Sequence, residues 1–256
     1  MRRNWKVRIF IGLAIVAFAF LKKCYNTEEN QFTGKDQAIS MSTEEEIAIG
    51  LQSAPQMAQE YGGLYNSQQL QDEVDRVGNK LVNNSIAKET PYQYEFHLLA
   101  DPETINAFAL PGGQVFITYA LLSKLENEDQ LAGVLGHEIG HVLGRHSAER
   151  IANSEFWQTL ATGASVGADA GNVVAGIGQN VLLGNSRGDE LESDELGVWF
   201  MLDAGYDPME MIGVMEILKA AAGPSRAPEF QSTHPDPENR IEHIKEAIKK
   251  YEEQAN

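Results

Sequence analysis
The chain has 256 residues, 22% of them charged, and a formal net charge of −17. That length can bury a full core in one main domain, and such an acidic surface excludes a polyanionic partner such as nucleic acid. A single cysteine, Cys24, excludes an internal disulfide and a thiolate metal site.

The first 25 residues hold Arg2, Arg3, Lys6, Arg8, Lys22 and Lys23 and no acid, so the remainder is more acidic still. Ile9 to Leu21 is apolar apart from Gly12. This is short of the roughly 20 residues a membrane span needs and right for a signal-peptide core. Ala17-Phe18-Ala19 offers a small-x-small cleavage pattern. Lys22 and Lys23 stand where a lipoprotein signal before Cys24 needs small residues, so no lipid anchor is expected. Residues 1–25 are therefore a cleaved signal peptide or an uncut N-terminal anchor whose lysines snorkel. Residues 26–40 are polar and read as a linker, and residues 41–256 form the remaining domain.

Thr43-Glu44-Glu45-Glu46 is a capping box that opens a helix running to about Tyr61, where Gly62-Gly63 stops it. Leu70, Val74, Val77, Leu81 and Val82 share one face of a second helix, about Ser67 to Ala87. Tyr92 to Leu99 alternates as a strand between Pro91 and Asp101-Pro102. Asn106–Leu110 and Gln114–Thr118 form two more short strands around Pro111-Gly112-Gly113. In a protease, a strand edge here would pair with the backbone of an extended substrate. Gly112, Gly113, Gln114 and Val115 are the candidate substrate-binding residues, with the glycines allowing close approach.

The segment Leu131 to Gly144 carries H-E-x-x-H within helix-spaced apolar residues: Leu131, Val134, Leu135, Ile139, Val142 and Leu143. Residues four apart lie one turn apart on nearly one face, so His137 and His141 can point two imidazoles at one ion. Glu138 stands beside them as a general base for water. The motif alone also fits a helix with surface or capping histidines, but buried unpaired histidines would suit this apolar run poorly. Zinc, one ion per chain, is the expected metal, since it accepts two nitrogens and a carboxylate and keeps a fourth position open.

A third ligand must come from another helix. In Ser186 to Asp194, Glu190 and Asp194 are four apart and share a face; Glu190 is assigned to the zinc. Asp194 would fix the tautomer of a ligand histidine. Glu192 lies about 200° round that helix from Glu190. Between the ligand helices, Ala161–Gly184 is rich in small residues, with Gly163, Gly167 and Gly171 at four-residue spacing. It reads as a mobile flap or short helix pair over the site, or as plain close packing. Asp207-Pro208 caps a helix to about Ala222, and His234-Pro235-Asp236-Pro237 precedes a last charged helix from about Glu238. His234 is a candidate catalytic residue as an oxyanion stabiliser, a fourth ligand that holds the site latent, or a structural cap. Arg240 would bind a substrate carbonyl or a structural carboxylate. His97, His146 and His243 read as structural.

Taken together, several of these residues resemble metallopeptidase family 48, the gluzincin-type zinc endopeptidases that include the HtpX, CAAX prenyl endopeptidase and BepA-like groups. The carrying residues are Asn106-Ala107-Phe108-Ala109, Gly112-Gly113, Val115 to Thr118, His137 to Val142, Ser186-Arg187 with Glu190 and Asp194, and His234-Pro235 with Arg240. They span about residues 42–245 in the family's order. Ser193 stands where the family commonly has Ala, and a single hydrophobic N-terminal segment replaces the several spans of HtpX. The resemblance implies His137, His141 and Glu190 as zinc ligands and Glu138 as base. It further implies an α+β, mainly helical fold with a small sheet beside the H-E-x-x-H helix.

The expected function is a zinc endopeptidase acting on unfolded or misassembled membrane or envelope proteins. It would be exported or membrane-anchored in the periplasm or cell envelope, with a polypeptide substrate and a membrane as partners. The alternatives are a latent zinc-bound chaperone or adaptor and a structural metal site. Glu138 argues against the last, because a structural site has no use for a base.

Overall fold
The computed structural model describes residues 5–168, 185–221, 229–235 and 239–254. The fold is mainly helical with two small sheets. The chain divides into two compact units. Unit 1 takes residues 1–41 and 147–183, and unit 2 takes residues 42–146 and 184–256.

Unit 1 begins with helix α1 (Trp5–Tyr25). The stretch read as a linker carries a short antiparallel pair, β1 (Thr27–Glu29) and β2 (Asp36–Ala38). Neither strand alternates, and tertiary contacts hold the pair: Ile39 N donates to Asn26 O at 3.1 Å, and Gln37 Nε2 to Glu149 Oε2 at 3.2 Å.

Unit 2 opens with α2 (Thr43–Glu60), whose N-cap is Ser42; Glu45 completes the capping box. Next come α3 (Gln68–Asn84) and a 3-10 turn, Ile86–Glu89. A three-stranded sheet follows: β3 (Glu95–Leu99), β4 (Ala107–Ala109) and β5 (Gln114–Thr118), in the order β3-β5-β4. The first pair is parallel and the second antiparallel. A short helix α4 (Tyr119–Leu122) leads to α5 (Glu128–Leu143), capped by the Asn127 side chain. Helix α6 (His146–Ala168) starts at the last residue of this unit's first segment and continues into unit 1.

The chain re-enters unit 2 with α7 (Arg187–Asp203), α8 (Glu210–Ala221), the short α9 (Glu229–Thr233) and α10 (Arg240–Gln254). Ala161–Ala168, expected in a flap, continue α6, whereas the rest of that segment lies outside the described residues, as do Ala222 and Asp236 to Glu238.

Helix α5 is the axis of unit 2, and every residue from Gln130 to Leu143 is buried. Leu131, Leu135, Ile139 and Leu143 join a core with Val74, Val77 and Leu81 of α3, Leu98 and Leu99 of β3, Phe116 of β5, and Phe200 and Met201 of α7. Each such side chain contributes about 1.5–3 kcal/mol of burial. Three helices (α3, α7 and α8) and strands β4 and β5 pack on α5, and α10 packs on α7. Glycines set the closest approach. A Cβ on Gly140 would sit 2.9 Å from Ser193 O, and one on Gly197 would sit 3.1 Å from His137 N. The α5–α7 pair that carries the expected ligands is thus drawn together backbone to backbone.

Candidate metal centre
Helix α5 presents His137 and His141 with their Nε2 atoms 3.0 Å apart. Helix α7 brings Glu190, whose carboxylate oxygens lie 3.4 Å from His137 Nε2 and 3.3 Å from His141 Nε2. His234, just past α9, sets its Nδ1 3.2 Å from His137 Nε2, His141 Nε2 and Glu190 Oε1 alike. All four residues are buried. Four tetrahedral ligands at about 2.0–2.1 Å from an ion stand roughly 3.3 Å from one another, and this cluster matches that spacing.

Proton positions make the same point. Asp194 Oδ1 accepts from His137 Nδ1 at 2.8 Å, and Asp194 itself accepts from Arg240 Nε at 2.6 Å and Nη2 at 2.8 Å. In its neutral form His137 therefore turns a bare Nε2 lone pair into the cluster. His141 Nδ1 lies 2.7 Å from His146 Nδ1, and His146 Nε2 lies 2.8 Å from Glu192 Oε2. A carboxylate only accepts, so His146 keeps its proton on Nε2 and its Nδ1 accepts from His141. The His141 Nε2 lone pair is then bare as well. With both rings neutral, two lone pairs and a carboxylate converge on one point, an arrangement that repels itself unless a positive charge, a metal ion or a proton on His137 Nε2, occupies the centre. The same assignment leaves the nearby trio His146, Asp189 and Glu192 without a histidine lone pair for a second ion.

The electrostatics follow from burial and these contacts. Burial disfavours the His137 imidazolium, but the Asp194 and Glu190 carboxylates outweigh it and push the pKa up to about 9. Burial pulls His141 well down. Burial also opposes ionisation of Glu190, yet bonds to His137, His141 and His234 hold its carboxyl far below the usual range. For Asp194, Arg240 and His137 together overcome burial and lower the pKa.

Glu138 is different. It is buried, both its oxygens lack a hydrogen-bond partner among the described residues, and His234 Nε2 lies 3.5 Å from its Oε1. Burial pushes its carboxyl up, partly countered by His234 and His137.

The structure brings His137, Glu138, His141, Glu190, Asp194, His234 and Arg240 together. It narrows one expectation within that set and corrects another beside it. Of the two readings of Arg240, the structure shows the structural carboxylate: the buried guanidinium is engaged on Asp194 and so orients a ligand's partner. Gly112, Gly113, Gln114 and Val115 are buried, and β5 is the middle strand, paired on both sides. Both glycines have positive φ (81° and 109°), and a Cβ on either would strike the backbone of Ile47 or Gln93. They hold the sheet against α2 and leave no room for a peptide. The outer strand of the hairpin is β4, which pairs with β5 on one side.

Two residues of the centre gave no sequence signal. His146 reaches His141 because Arg145 takes φ 55° and breaks α5 from α6. That left-handed turn is fixed by Arg145 Nε and Nη2 on Glu46 Oε1, at 2.8 and 2.5 Å, with Tyr92 O–H on Glu46 Oε2 at 3.2 Å. Asn185, just before the Ser186 cap, donates Nδ2 to Glu190 Oε1 at 3.0 Å.

Residues 68–248 match the family model described as peptidase family M48. The chain belongs to peptidase family M48. Among curated M48-type relatives, it is 36% identical over 176 residues to the mitochondrial metalloendopeptidase OMA1 of Schizosaccharomyces pombe, covering 68% of this chain and 51% of that protein. It is 30% identical over 222 residues to the beta-barrel assembly-enhancing protease of Yersinia pestis, covering 81% and 45%. The corresponding Escherichia coli protease is 32% identical over 192 residues, covering 70% and 39%. The chain thus spans about half or less of the length of these relatives.

Proposed function
We propose that this M48 chain is a zinc-dependent endopeptidase that hydrolyses peptide bonds of unfolded or misassembled membrane or envelope proteins. The observation that carries the reading is Glu138. A buried carboxylate without hydrogen bonds is costly, and it is useful where water or a reacting group occupies the space beside it. His137, His141 and Glu190 would hold the ion, and their nitrogen and oxygen donors in tetrahedral array suit zinc. Bound there, zinc would supply Lewis-acid activation of water and of the scissile carbonyl. Glu138 takes the proton from the attacking water and delivers it to the leaving amine, and its upward-shifted carboxyl suits a group that must both gain and lose a proton. Asp194 and Arg240 keep His137 in the ligating tautomer.

The outer strand β4 supports an extended polypeptide as substrate, read through its backbone. The relatives' names, a mitochondrial metalloendopeptidase and beta-barrel assembly-enhancing proteases, support proteolysis as the activity. The basic-flanked apolar run Ile9–Leu21 supports a chain exported to, or anchored at, a cell envelope.

One observation favours a second reading. His234 Nδ1 stands in the position of a fourth ligand, where an open site would admit water. In that reading the protein is latent, a zinc-bound chaperone or adaptor until His234 withdraws. The test is casein cleavage by the full zinc-loaded chain, as native protein, Glu138→Gln and His234→Ala, with zinc content measured in parallel. The peptidase reading expects cleavage that Glu138→Gln lowers by about 10²–10⁴ with zinc retained. Cleavage by His234→Ala alone would establish latency. Zinc-loaded proteins that all fail to cleave would sink the general-protease reading.

A further inference from the structure
The two helices of unit 1 have opposite outer faces. α1 and α6 run antiparallel: Arg8 Nε donates to Val166 O at 3.0 Å, the Phe20 ring meets Phe156 edge-on at 5.2 Å, and Lys22 Nζ pairs with Glu155 Oε2 at 2.8 Å. A Cβ on Gly12 would lie 2.7 Å from Gly163 O and 2.8 Å from Gly167 Cα, so the helices meet as closely as backbones allow. Arg8, Lys22 and Lys23 bond to α6. The opposite side of α1 is bare hydrocarbon. Phe10, Leu13, Phe18 and Leu21 are 61–73% exposed, and from Ile9 to Leu21 the outward arc, about 200° wide, holds no charge. The outward positions of α6 are polar: Glu155, Gln158, Thr162 and Ser165.

We infer that α1 is retained in the mature chain and that the α1–α6 pair lies in the plane of a lipid leaflet, with α1 immersed and α6 on its water side. An apolar arc of this width exceeds what soluble surfaces leave uncovered. A bilayer fits it in three ways. The face offers no hydrogen-bonding group between Ile9 and Leu21. Trp5 and Tyr25, 64% and 89% exposed, mark its two ends as interfacial aromatics do. Lys6 and Arg8 at one end and Lys22 and Lys23 at the other complement the phosphate layer.

Spanning is the poorer disposition. Ile9–Leu21 is about 20 Å long at 1.5 Å per residue, against roughly 30 Å of hydrocarbon. No helix among the described residues is long and apolar enough to cross a membrane. A crossing would also strip water from Gln158 and Thr162, whereas an in-plane pair leaves them wet. The close glycine packing argues for retention, since a discarded signal has no need of a fitted partner.

The test uses the full chain, recovered from expressing cells and floated with phosphatidylcholine vesicles. The inference expects an intact mass that includes residues 1–25 and a protein that floats. Phe10→Ser/Leu13→Ser/Phe18→Ser should cut the floated fraction at least tenfold with unchanged circular dichroism, while Gln158→Asn on the water side should float like the native chain. Topology is read with a membrane-impermeant maleimide on Cys24, and on Trp5→Cys in a Cys24→Ser background. Both positions should label from outside the vesicle. Loss of residues 1–25, flotation of the triple variant, or labelling at one end only would overturn the inference.

Discussion
Each histidine of the α5 motif has a partner on its outer nitrogen, and the partners differ in kind. His137 leans on a carboxylate clamped by an arginine, whereas His141 leans on a second histidine that ends at Glu192. The second arrangement makes a sharp prediction. His146→Ala should remove the acceptor for His141 Nδ1–H, free the wrong tautomer to form, and weaken metal binding by about 10–100-fold. His146→Asn, whose side-chain oxygen can stand where Nδ1 stood, should restore most of that affinity. Competition with a chromogenic chelator measures both, and equal affinity for all three proteins would refute the role. A similar loss is expected for Asp194→Ala, with Arg240 then left buried without its bidentate carboxylate.

At the scale of elements, the site is only as good as the α5–α7 contact. Gly140→Ala would press a methyl group onto Ser193 backbone, which has no flexible end to yield. We predict about 1–3 kcal/mol of destabilisation in urea melts, together with weaker metal binding, because the move separates Glu190 from the two histidines. Helix α3 braces α5 from another side: Arg76 donates to both oxygens of Glu128 at 2.7 and 2.8 Å. That pair, with Tyr206, holds the Glu128 carboxyl down to about 2. Its folded value lies below the ordinary 4.5, so the contribution is present above pH 4.5 and is lost as pH falls toward 2. Both side chains are half exposed, which limits it to less than about 1 kcal/mol. Glu128→Gln should flatten acid unfolding in that window and leave stability at pH 7 within the same margin.

The elements explain what could and could not be read from the chain. His137, Glu138 and His141 were legible because helical period alone puts them together, and Glu190 with Asp194 because a four-residue spacing does the same on α7. Arg145 was not legible: its positive φ depends on Glu46, 99 residues away, and without that turn His146 has no reason to face His141. Gly112 and Gly113 showed that a tight approach was needed but not what approached, which is α2 at Gly112 and the backbone of Gln93 at Gly113. The β1–β2 pair lacks alternation and exists through contacts distant in sequence. Local pattern marks helices and their faces; it is silent on long-range partners.

For the whole molecule, an ion held by these ligands would join segments that the rest of unit 2 holds together less firmly. Chelation should lower the melting temperature, since ion binding at a free concentration of 100 times Kd stabilises by about 2.7 kcal/mol. Readdition of zinc should restore it, and a melt indifferent to chelator would count against a site built from all three ligand-bearing segments. Unit 2 is also discontinuous, interrupted by residues 147–183 of unit 1. That interruption sets a clock. His141 and His234 are 93 residues apart, so at about 5–20 residues per second the ribosome releases them roughly 5–20 seconds apart. Glu190 follows His141 by 49 residues, so for about the first half of that interval a nascent chain owns two imidazoles and no third ligand, and it binds metal poorly. The chemistry of Glu138 is thereby withheld until helix α7 has been made, and a protease made this way is inert over that stretch of its synthesis.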